Sequence, residues 1–496
     1  MFLSVVALLV GGWLEIIVCF PGIWKYRKFS GRLTVLVTTV TAIYLLITGF
    51  GTLWIWALLL VSLFRLFNLA RILVSKIQPE HLRRVAIKTA RRLWLLQFAI
   101  VFIGFLLTGF NSLNAGRWTI LAFIQLVIAL LLVSSTKRHQ RVAERIKLNT
   151  EIVDRDAPTL TVAIPARNET ESLNECLRSV LNNNYPKLEV LVLDDQSTIR
   201  RTPEIIRSFA HDGVEFVAGK PVPQGWVAKN WAYQQLLEAS NGEIVLFCGA
   251  DTRFESDALR FLVSSLDVRG KKVISILPRN SMPDGIIAKF IQPLRYAWEV
   301  SLPRRSFNRP PVLSTCWAAE KKFMVKAGGF KGVARRVVPE SYFAKQALNH
   351  DGYSFFMYDG VTSEKAETDK LETAIRTRYP QLHRQPELAA LLTLIELFLV
   401  IGSLPLFIWG LIELSVTVIV FSGLAMVIFG YLFALISAMT YRQKISESGW
   451  LWPIALALDI WLVNLSMWRY EFGTVLWKGR SVSPSVMNHQ TRPTSL

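Results

Sequence analysis

The stretch that decides the fold of the central part of the chain is Leu160–Ile164 (LTVAI), followed directly by residues 165–169 (PARNE). The first segment is apolar and rich in β-branched residues, which is typical of a buried strand. The second is polar and marks the carboxyl end of that strand. Further segments of the same kind follow along the chain, so the pattern around residue 160 indicates how the whole middle region folds.

Short apolar runs alternate with amphipathic stretches through this region. The candidate strands are Leu160–Ile164, Leu188–Leu193, Val214–Val217, Glu243–Cys248 and Val273–Leu277. The candidate helices are Glu171–Leu181, Pro203–Phe209, Ala228–Ala239 and Ser256–Leu266. Apolar strands that alternate with helices indicate a parallel sheet covered on both faces. We therefore expect a soluble α/β domain over residues 158–386, with its ligand site at the carboxyl ends of the strands.

The composition of the whole chain excludes an ordinary soluble enzyme. Its 496 residues are 19% charged and 52% hydrophobic, whereas a soluble domain is about 25% charged. The formal net charge is +19, which suggests a membrane protein whose basic loops face anionic headgroups. Nucleic-acid binding is the other interpretation of such charge, but it does not require the apolar runs, so we expect no nucleic-acid partner. The four cysteines lie far apart without a C-x-x-C pair, which predicts neither a disulfide framework nor a cysteine-based zinc site.

Five apolar runs in residues 1–136 approach the roughly 20 residues that a transmembrane helix needs. They are Phe2–Phe20, Leu33–Gly49, Leu53–Val74, Leu93–Phe110 and Trp118–Ser135. The segments after the first, third and fifth runs are rich in Lys and Arg, and the other two connections carry almost no charge. Because basic loops stay inside, we expect a multi-pass protein of the plasma membrane whose central domain is cytoplasmic.

A second apolar block spans residues 387–480. It divides into Leu388–Ile412, Val416–Thr440 and Trp450–Trp468. Three crossings place the end of the chain outside, whereas Arg469, Lys478 and Arg480 favour the inside. Asp459 in the last run is costly at bilayer depth, so that run is the candidate for a re-entrant or interfacial segment, and the sequence leaves two or three crossings open. The tail, residues 481–496, is rich in Ser, Pro and Thr and is expected to be disordered.

Polar motifs follow the candidate strands. They are PARNE at 165–169, DDQS at 194–197, GWVAK at 225–229 and GADT at 249–252. Acidic residues at successive strand ends converge on one cleft. Carboxylates there can bind the polar edges of a nucleotide or a hard divalent cation, and a neighbouring lysine can neutralise a diphosphate.

These motifs, in this order and spacing, resemble the Rossmann-like GT-A domain of membrane-bound family 2 glycosyltransferases, in particular the members associated with hopanoid and carotenoid glycosylation. The segment W-K-G-R at 477–480 belongs to the same likeness, which covers roughly residues 158–480 and leaves out the N-terminal helices. Each motif alone is weak, whereas four in register on one α/β pattern are specific. The resemblance implies transfer of a sugar from a nucleotide-activated donor.

The resemblance also implies which residues bind the donor. These are Pro165, Ala166, Arg167, Asn168, Glu169, Asp194, Asp195, Lys229 and Asp251. The two adjacent aspartates would contact base and ribose, and Lys229 would lie near the base and diphosphate. Asp251 would be the metal ligand, for Mg²⁺ or Mn²⁺. The chain departs from the family pattern at Gly249, which stands where the first aspartate of the D-x-D motif is usual, so a cation would depend on Asp251 and on the diphosphate.

On the acceptor side, the resemblance places Glu340 where the family has its catalytic aspartate, at the start of a helix. Glutamate can serve as the same general base for inverting transfer. The acceptor-side matches are Cys316, Trp317, Arg376 and Arg378. We find no Q-x-x-R-W motif, which is typical of processive synthases, so transfer of a single sugar to a membrane lipid is favoured.

Each motif also has a structural interpretation. The DDQS segment can form a simple turn, and Lys229 can be a solvated helix residue. Glu340 can be an acid favoured by a helix N-terminus, and Cys316 a small buried hydrophobe. Two other functions stay open: a catalytically weak GT-A relative that acts as a membrane scaffold, which Gly249 favours, and a transporter, which the eight apolar runs favour.

Overall fold

A computed structural model of the full chain describes most of the residues. The described residues are 2–19, 24, 26–49, 53–74, 79–109, 114–147, 156–267, 270–280, 286–301, 310–349, 352–364, 367–382, 384–442, 447–473, 475–477 and 480–483. The predicted disordered tail therefore lies outside them from residue 484 onward, while its first residues belong to a short strand.

The described residues contain eleven strands and seventeen α-helices, which are numbered here in chain order. The strands are β1 Leu160–Ala166, β2 Leu188–Asp194, β3 Val214–Ala218, β4 Ile244–Cys248, β5 Thr252–Phe254, β6 Val273–Pro278, β7 Cys316–Glu320, β8 Tyr353–Tyr358, β9 Val361–Ser363, β10 Val475–Trp477 and β11 Arg480–Ser483. The helices that flank or cover the sheet are α6 Glu171–Leu181, α7 Arg201–Ser208, α8 Ala228–Ala239, α9 Ala258–Asp267, α10 Ile286–Ser301, α11 Lys321–Lys326, α12 Glu340–Leu348 and α13 Glu367–Gln381. The helices of the two apolar blocks are α1 Phe2–Val18, α2 Arg27–Gly49, α3 Leu53–Val74, α4 Pro79–Gly109, α5 Asn114–Lys147, α14 Pro386–Leu394, α15 Ser403–Ile412, α16 Val416–Thr440 and α17 Trp452–Phe472.

The central sheet has seven strands in the order β3-β2-β1-β4-β7-β6-β8. Strands β1 to β4 pair in parallel, as do β6 and β8. The prediction of a parallel sheet is wrong for β7, which runs antiparallel to both β4 and β6. Residues 310–315, which precede β7, reach the carboxyl edge of β4, where the Gly249 N–H donates to the Thr315 carbonyl oxygen at 3.2 Å. A strand that starts at that edge must run in the opposite direction, which the sequence pattern alone does not reveal.

The two faces of the sheet bury different partners. One face packs against α6 and α9 through residues such as Leu246 and Ala318. The other face carries Phe247 and Trp317, and its buried cluster continues into Phe429 and Phe433 of α16. The sheet is therefore attached directly to an apolar helix, since one buried cluster spans both, and the carboxyl edge of the sheet is held at a fixed position relative to that helix.

Six helices in the described parts of the chain are long and apolar enough to cross a membrane. They are Arg27–Ile47, Trp54–Val74, Trp118–Arg141, Pro386–Ile412, Val416–Thr440 and Gly449–Phe472. The predicted runs Phe2–Phe20 and Leu93–Phe110 form α1, which contains the shorter apolar helix Val5–Val18, and the second half of α4. The chain thus carries the two blocks of apolar helices expected on either side of the α/β domain.

Charged contacts connect helices α3 and α4 of the N-terminal block to helices of the C-terminal block. The guanidinium of Arg71, near the end of α3, lies 3.1 Å from Glu471 of α17. Arg92 in α4 donates to Glu387 of α14 at 2.6 Å. Most of the basic residues that follow the third apolar run, Arg92 among them, therefore lie in the first half of α4.

The last apolar helix, α17, lies antiparallel along α13. Arg378 pairs with Asp459, and Arg469 pairs with Glu372 at 2.9 Å. The turn before α17 packs at Gly430, in the middle of α16, about 15 Å along the helix axis from its end at Thr440. The hairpin after α17 returns to the α/β domain. The contacts therefore favour a helix that enters partway and returns over one that crosses.

This arrangement predicts the accessibility of engineered cysteines. In intact cells or sealed vesicles, Asp212→Cys in the α/β domain and Ser481→Cys in the hairpin will react with a membrane-impermeant maleimide from the same side. Leu414→Cys, in the exposed turn between α15 and α16, will react from the opposite side. The four native cysteines are buried and give a low background. Labelling of Ser481→Cys together with Leu414→Cys would show that α17 crosses the membrane.

Candidate active site at the strand ends

The loop after β1 shapes the loop after β2. The Asn168 side-chain carbonyl oxygen accepts hydrogen bonds from the backbone N–H groups of Thr198 at 2.8 Å and Ile199 at 3.3 Å. The Asn168 N–H donates in turn to the Ser197 hydroxyl at 2.9 Å. Asn168 and Gln196 both have positive φ, at 51° and 54°, a conformation that asparagine tolerates better than most residues. The predicted donor-binding residue Asn168 thus fixes the shape of the site.

Other residues of the PARNE segment also act through the backbone. Arg167 donates to the main-chain carbonyl oxygens of Asp195 and Gln196 at 2.6 and 2.8 Å. Pro165 and Ala166 form the end of β1, and the Ala166 carbonyl accepts from the Asp195 N–H at 2.8 Å. The Glu169 carbonyl oxygen accepts from Thr202 at 2.7 Å. The segment therefore frames the edge of the sheet and sets the position of the acidic pair.

The two adjacent aspartates have different surroundings. Asp194 ends β2, and its carboxylate accepts from the Ser197 N–H at 3.1 Å. Asp195 is 3% exposed, and Arg480 donates to both of its carboxylate oxygens at 2.8 Å. The pKa of the Asp195 carboxyl stands above its usual range, because burial outweighs the hydrogen bonds and charge of Arg480 and the charge of Arg167. The sequence did not predict the partner from the C-terminal hairpin.

Asp251 occupies the space that a side chain at position 249 would need. A Cβ atom added to Gly249 would lie 2.3 Å from Asp251 Oδ1. The other oxygen, Oδ2, accepts from the Ser363 hydroxyl at 2.8 Å. Glycine at position 249, where the family pattern has its first aspartate, therefore leaves room for Asp251 in this orientation.

The described residues do not supply a complete metal site. Among them, no cluster of three or more His, Cys, Asp or Glu is arranged to hold a metal ion. Asp251 offers one carboxylate, whereas Mg²⁺ takes six oxygen ligands in near-octahedral geometry. A divalent cation at this position would take most of its ligands from a bound diphosphate and water.

Lys229 and Glu340 meet across the cleft. Lys229 lies in the first turn of α8, and its Nζ is 3.4 Å from Oε1 of Glu340, the first residue of α12. Buried Asn230 holds these helices together, because its amide donates to the main-chain carbonyl oxygens of Val333, Ala334 and Arg336 at 2.8–3.0 Å. Glu340 is 2% exposed, and its Oε2 has no hydrogen-bond partner among the described residues. One buried carboxylate oxygen is therefore available to a ligand.

Buried aromatic rings pack against Lys229 and against the helix that carries Glu340. Trp317 stacks on Phe343 of α12, with ring centroids 5.9 Å apart, and on Phe247 of β4 at 4.7 Å. Lys229 Nζ lies 5.2 Å from the ring centroid of Tyr233. The pKa of the Tyr233 phenol is raised well above its usual value, first by burial and then by the charge of Glu340, with a smaller contribution from Asp251. The charges of Glu340 and Asp251 thus both raise the pKa of one buried phenol.

The four predicted acceptor-side residues lie away from solvent or outside this cluster. Cys316 and Trp317 are both fully buried in β7, where burial raises the pKa of the Cys316 thiol. Arg378 pairs with Asp459, and Arg376 donates to Thr373 at 3.1 Å. Trp317 supports the helix that carries Glu340, whereas the two arginines attach α13 to its neighbours. Their contact with an acceptor stays a prediction.

Comparison with known proteins agrees with this arrangement. The glycosyl transferase family 2 model matches residues 161–326. A probable glycosyltransferase, YdaM of Bacillus subtilis, is 25% identical over 269 residues, which are 52% of this chain and 63% of that protein. The 4,4'-diaponeurosporenoate glycosyltransferase of Staphylococcus aureus is 31% identical over 148 residues, 29% of this chain and 36% of that protein. The chain thus spans less than two thirds of these relatives.

A solved structure with a similar arrangement is the mannosyltransferase PcManGT from Pyrobaculum calidifontis in complex with GDP-Man and Mn²⁺. It is 18% identical, covers 71% of this chain and 100% of its own, and has a TM-score of 0.43. The family match begins in β1 and ends in α11, so it includes the loops that carry Asp195, Lys229 and Asp251. The chain therefore contains a GT-A-like α/β domain with a mixed sheet, which matches the glycosyl transferase family 2 model over residues 161–326 and is flanked by two blocks of apolar helices.

Proposed function

We propose that this protein transfers a single sugar from a nucleotide-activated donor to a hydroxyl group of a membrane lipid, with inversion at the sugar carbon. The observation that carries the proposal is the contact at 3.4 Å between half-buried Lys229 and buried Glu340, in the domain whose strand ends carry Asp195 and Asp251. A carboxylate fixed beside a nucleotide site is the arrangement that inverting transfer needs, because the base must act on the face opposite the leaving diphosphate.

Glu340 is the proposed general base. Its Oε1 accepts a hydrogen bond from Lys229 at 3.4 Å, which fixes the position of the carboxylate. Its Oε2 then takes the proton of the acceptor hydroxyl as the oxygen attacks the sugar carbon and the bond to the diphosphate breaks.

The donor would lie along the carboxyl ends of β1, β2 and β4. Asp195 and the loop shaped by Asn168 form the proposed subsite for the nucleoside. Asp251, in the loop after β4, is the proposed group beside the diphosphate. A divalent cation, Mg²⁺ or Mn²⁺, held by Asp251 and the diphosphate would stabilise the leaving group by neutralising its charge.

Three observations support a lipid acceptor at the cytoplasmic surface of the plasma membrane. The sheet shares a buried cluster with α16, which keeps the cleft next to the bilayer. The Staphylococcus aureus relative is named for a carotenoid acid as acceptor. The basic segments next to α3, α4 and α5 would face anionic headgroups on the inner leaflet. These observations support a membrane lipid as the acceptor class, and the general-base role proposed for Glu340 requires a hydroxyl on that lipid.

The role of Glu340 is tested with Glu340→Gln in purified protein reconstituted in nanodiscs. Transfer of labelled sugar from a panel of nucleotide sugars into extractable lipid will fall by about 10²–10⁴-fold, because the amide cannot accept the proton. Affinity for the nucleoside diphosphate, measured by calorimetry, will change by less than about threefold.

A matched control is Glu320→Gln. Glu320 also accepts from a lysine, Lys272 at 2.7 Å, but it lies at the opposite end of the sheet, paired with Ile244 at the start of β4. This variant will keep wild-type transfer. If Glu340→Gln transfers sugar at the wild-type rate, Glu340 is not the base. Nucleotide binding without transfer by the wild-type protein to any lipid would instead favour the weak relative that acts as a scaffold.

The cation proposal is tested at position 249. Gly249→Asp must displace Asp251 from its position beside Ser363, because the new Cβ meets Asp251 Oδ1, and it places two carboxylates next to the diphosphate. The Mn²⁺ concentration for half-maximal nucleotide binding will fall about tenfold. Gly249→Ala causes the same steric conflict without a second carboxylate and will not lower it. An equal response of both variants would contradict a cation at Asp251.

A further inference from the structure

We propose that Arg480, on the hairpin after the last apolar helix, is a positioning residue of the donor site that holds the Asp195 carboxylate ionised and oriented toward the nucleoside. This inference rests on the proposed function and extends it to a part of the chain outside the matched family region, residues 161–326. It makes the hairpin β10–β11 a component of the nucleotide site.

The contact is specific in its geometry. Arg480 Nη1 lies 2.8 Å from both Asp195 carboxylate oxygens, and Nη2 lies 2.9 Å from the Gln196 side-chain oxygen. Residues 195 and 480 are 285 positions apart. Strand β11 pairs antiparallel with β10, with Trp477 opposite Arg480, so the hairpin presents the guanidinium at a defined position. A planar guanidinium with several donors suits the simultaneous recognition of a carboxylate and an amide.

The environment of Asp195 explains why such a partner is needed. A carboxylate that is only 3% exposed is costly to keep ionised unless it is paired and hydrogen-bonded. The charged groups that face it are Arg480 from β11, Arg167 from the loop after β1, and Asp194 from β2. Arg167 binds main-chain carbonyl oxygens of the loop, whereas Arg480 binds the carboxylate itself. Arg480 therefore controls the charge and direction of Asp195.

The charge state decides what Asp195 can recognise. An ionised carboxylate is only an acceptor, and the pairing edge of a nucleobase offers N–H donors. Donor affinity is full above the Asp195 pKa and is lost as the pH falls through it. Burial already raises this pKa, and Arg480 lowers it. Removal of Arg480 raises the pKa further and moves the loss of affinity to higher pH.

The experiment measures binding of UDP and GDP to the full chain in nanodiscs by calorimetry between pH 5 and 8. We expect Arg480→Gln to weaken binding of the preferred nucleotide about tenfold or more at neutral pH, with a smaller change in turnover at saturating donor. The acid limb of the affinity profile will shift to higher pH. Arg480→Lys will recover part of the affinity, since it keeps the charge and loses the two-pronged geometry.

The double variant Arg480→Gln/Asp195→Asn shows whether Arg480 acts through Asp195. It will bind no more than about twofold worse than Asp195→Asn alone, because both changes remove one coupled interaction. If the losses of affinity from the two substitutions multiply, or if the acid limb of the affinity profile does not move, the proposal is overturned. Arg480 would then contact the diphosphate directly or have only a structural role. Arg442→Gln is the matched control, because Arg442 also bridges an apolar helix and the domain, through Glu255 at 2.9 Å, and will bind nucleotide like wild type.

Two outcomes separate this inference from the proposed function. If the wild-type protein binds neither nucleotide, the proposed function fails. If wild type binds and Arg480→Gln binds equally well with the same pH profile, only the role of Arg480 fails. Should Arg480→Gln not fold, as judged by gel filtration and tryptophan fluorescence, Arg480→Lys carries the test, and unchanged affinity in that variant overturns the proposal.

Discussion

The parallel pairing of β1 with β2 and β4 is the constraint on which the rest of the domain depends. Because these strands run in one direction, their carboxyl ends share one edge, and the loops that carry Asp195 and Asp251 start there. Asp195 and Asp251 are 56 positions apart in the numbering, yet both lie at this edge because β2 and β4 pair with β1 on either side. The antiparallel strand β7 lies between β4 and β6, where it buries Trp317 against Phe247 of β4.

The polar residues at this edge divide into those that build loops and those with groups directed to a ligand. Asn168 and Arg167 use their side chains to fix backbone conformations, while Glu340 keeps a buried oxygen without a partner among the described residues. Motif likeness does not distinguish the two classes, since both are polar and adjacent in the sequence. Hydrogen-bond partners identify the residues that build loops, and the proposed function assigns the chemistry to Glu340, Lys229, Asp195 and Asp251.

Local patterning predicted the first four strands and the helices between them to within a few residues, because apolar runs and polar ends report burial directly. It could not predict the direction of β7, which is set by the path of the preceding segment over the edge of the sheet. The sequence could not predict the pairing of Lys229 with Glu340 or of Asp195 with Arg480 either. Tertiary contacts between residues 111 and 285 positions apart leave no periodic signal in the sequence. The sequence left the path of α17 open because its composition suits both a crossing and an interfacial helix; its contacts with α13 favour the second.

The apolar helices do more than anchor the domain. Helix α16 shares the buried cluster beneath the cleft, and α17 leads into the hairpin that reaches Asp195. Helix α3 joins this assembly through Arg71 and Glu471. Because these contacts connect both helix blocks to the sheet, the position of its carboxyl edge relative to the apolar helices is fixed, as the proposed transfer to a lipid would require.

The most direct measurement is a cryo-electron microscopy map of the full chain in nanodiscs with a bound nucleoside diphosphate. The structure predicts density for the nucleoside against Asp195 and Arg480, with the diphosphate toward Asp251 and on the same side of the sheet as Glu340 Oε2. A nucleotide bound away from the carboxyl edge of β1, β2 and β4, or with Glu340 separated from it by the sheet, would contradict the assignment of this cleft as a sugar-transfer site.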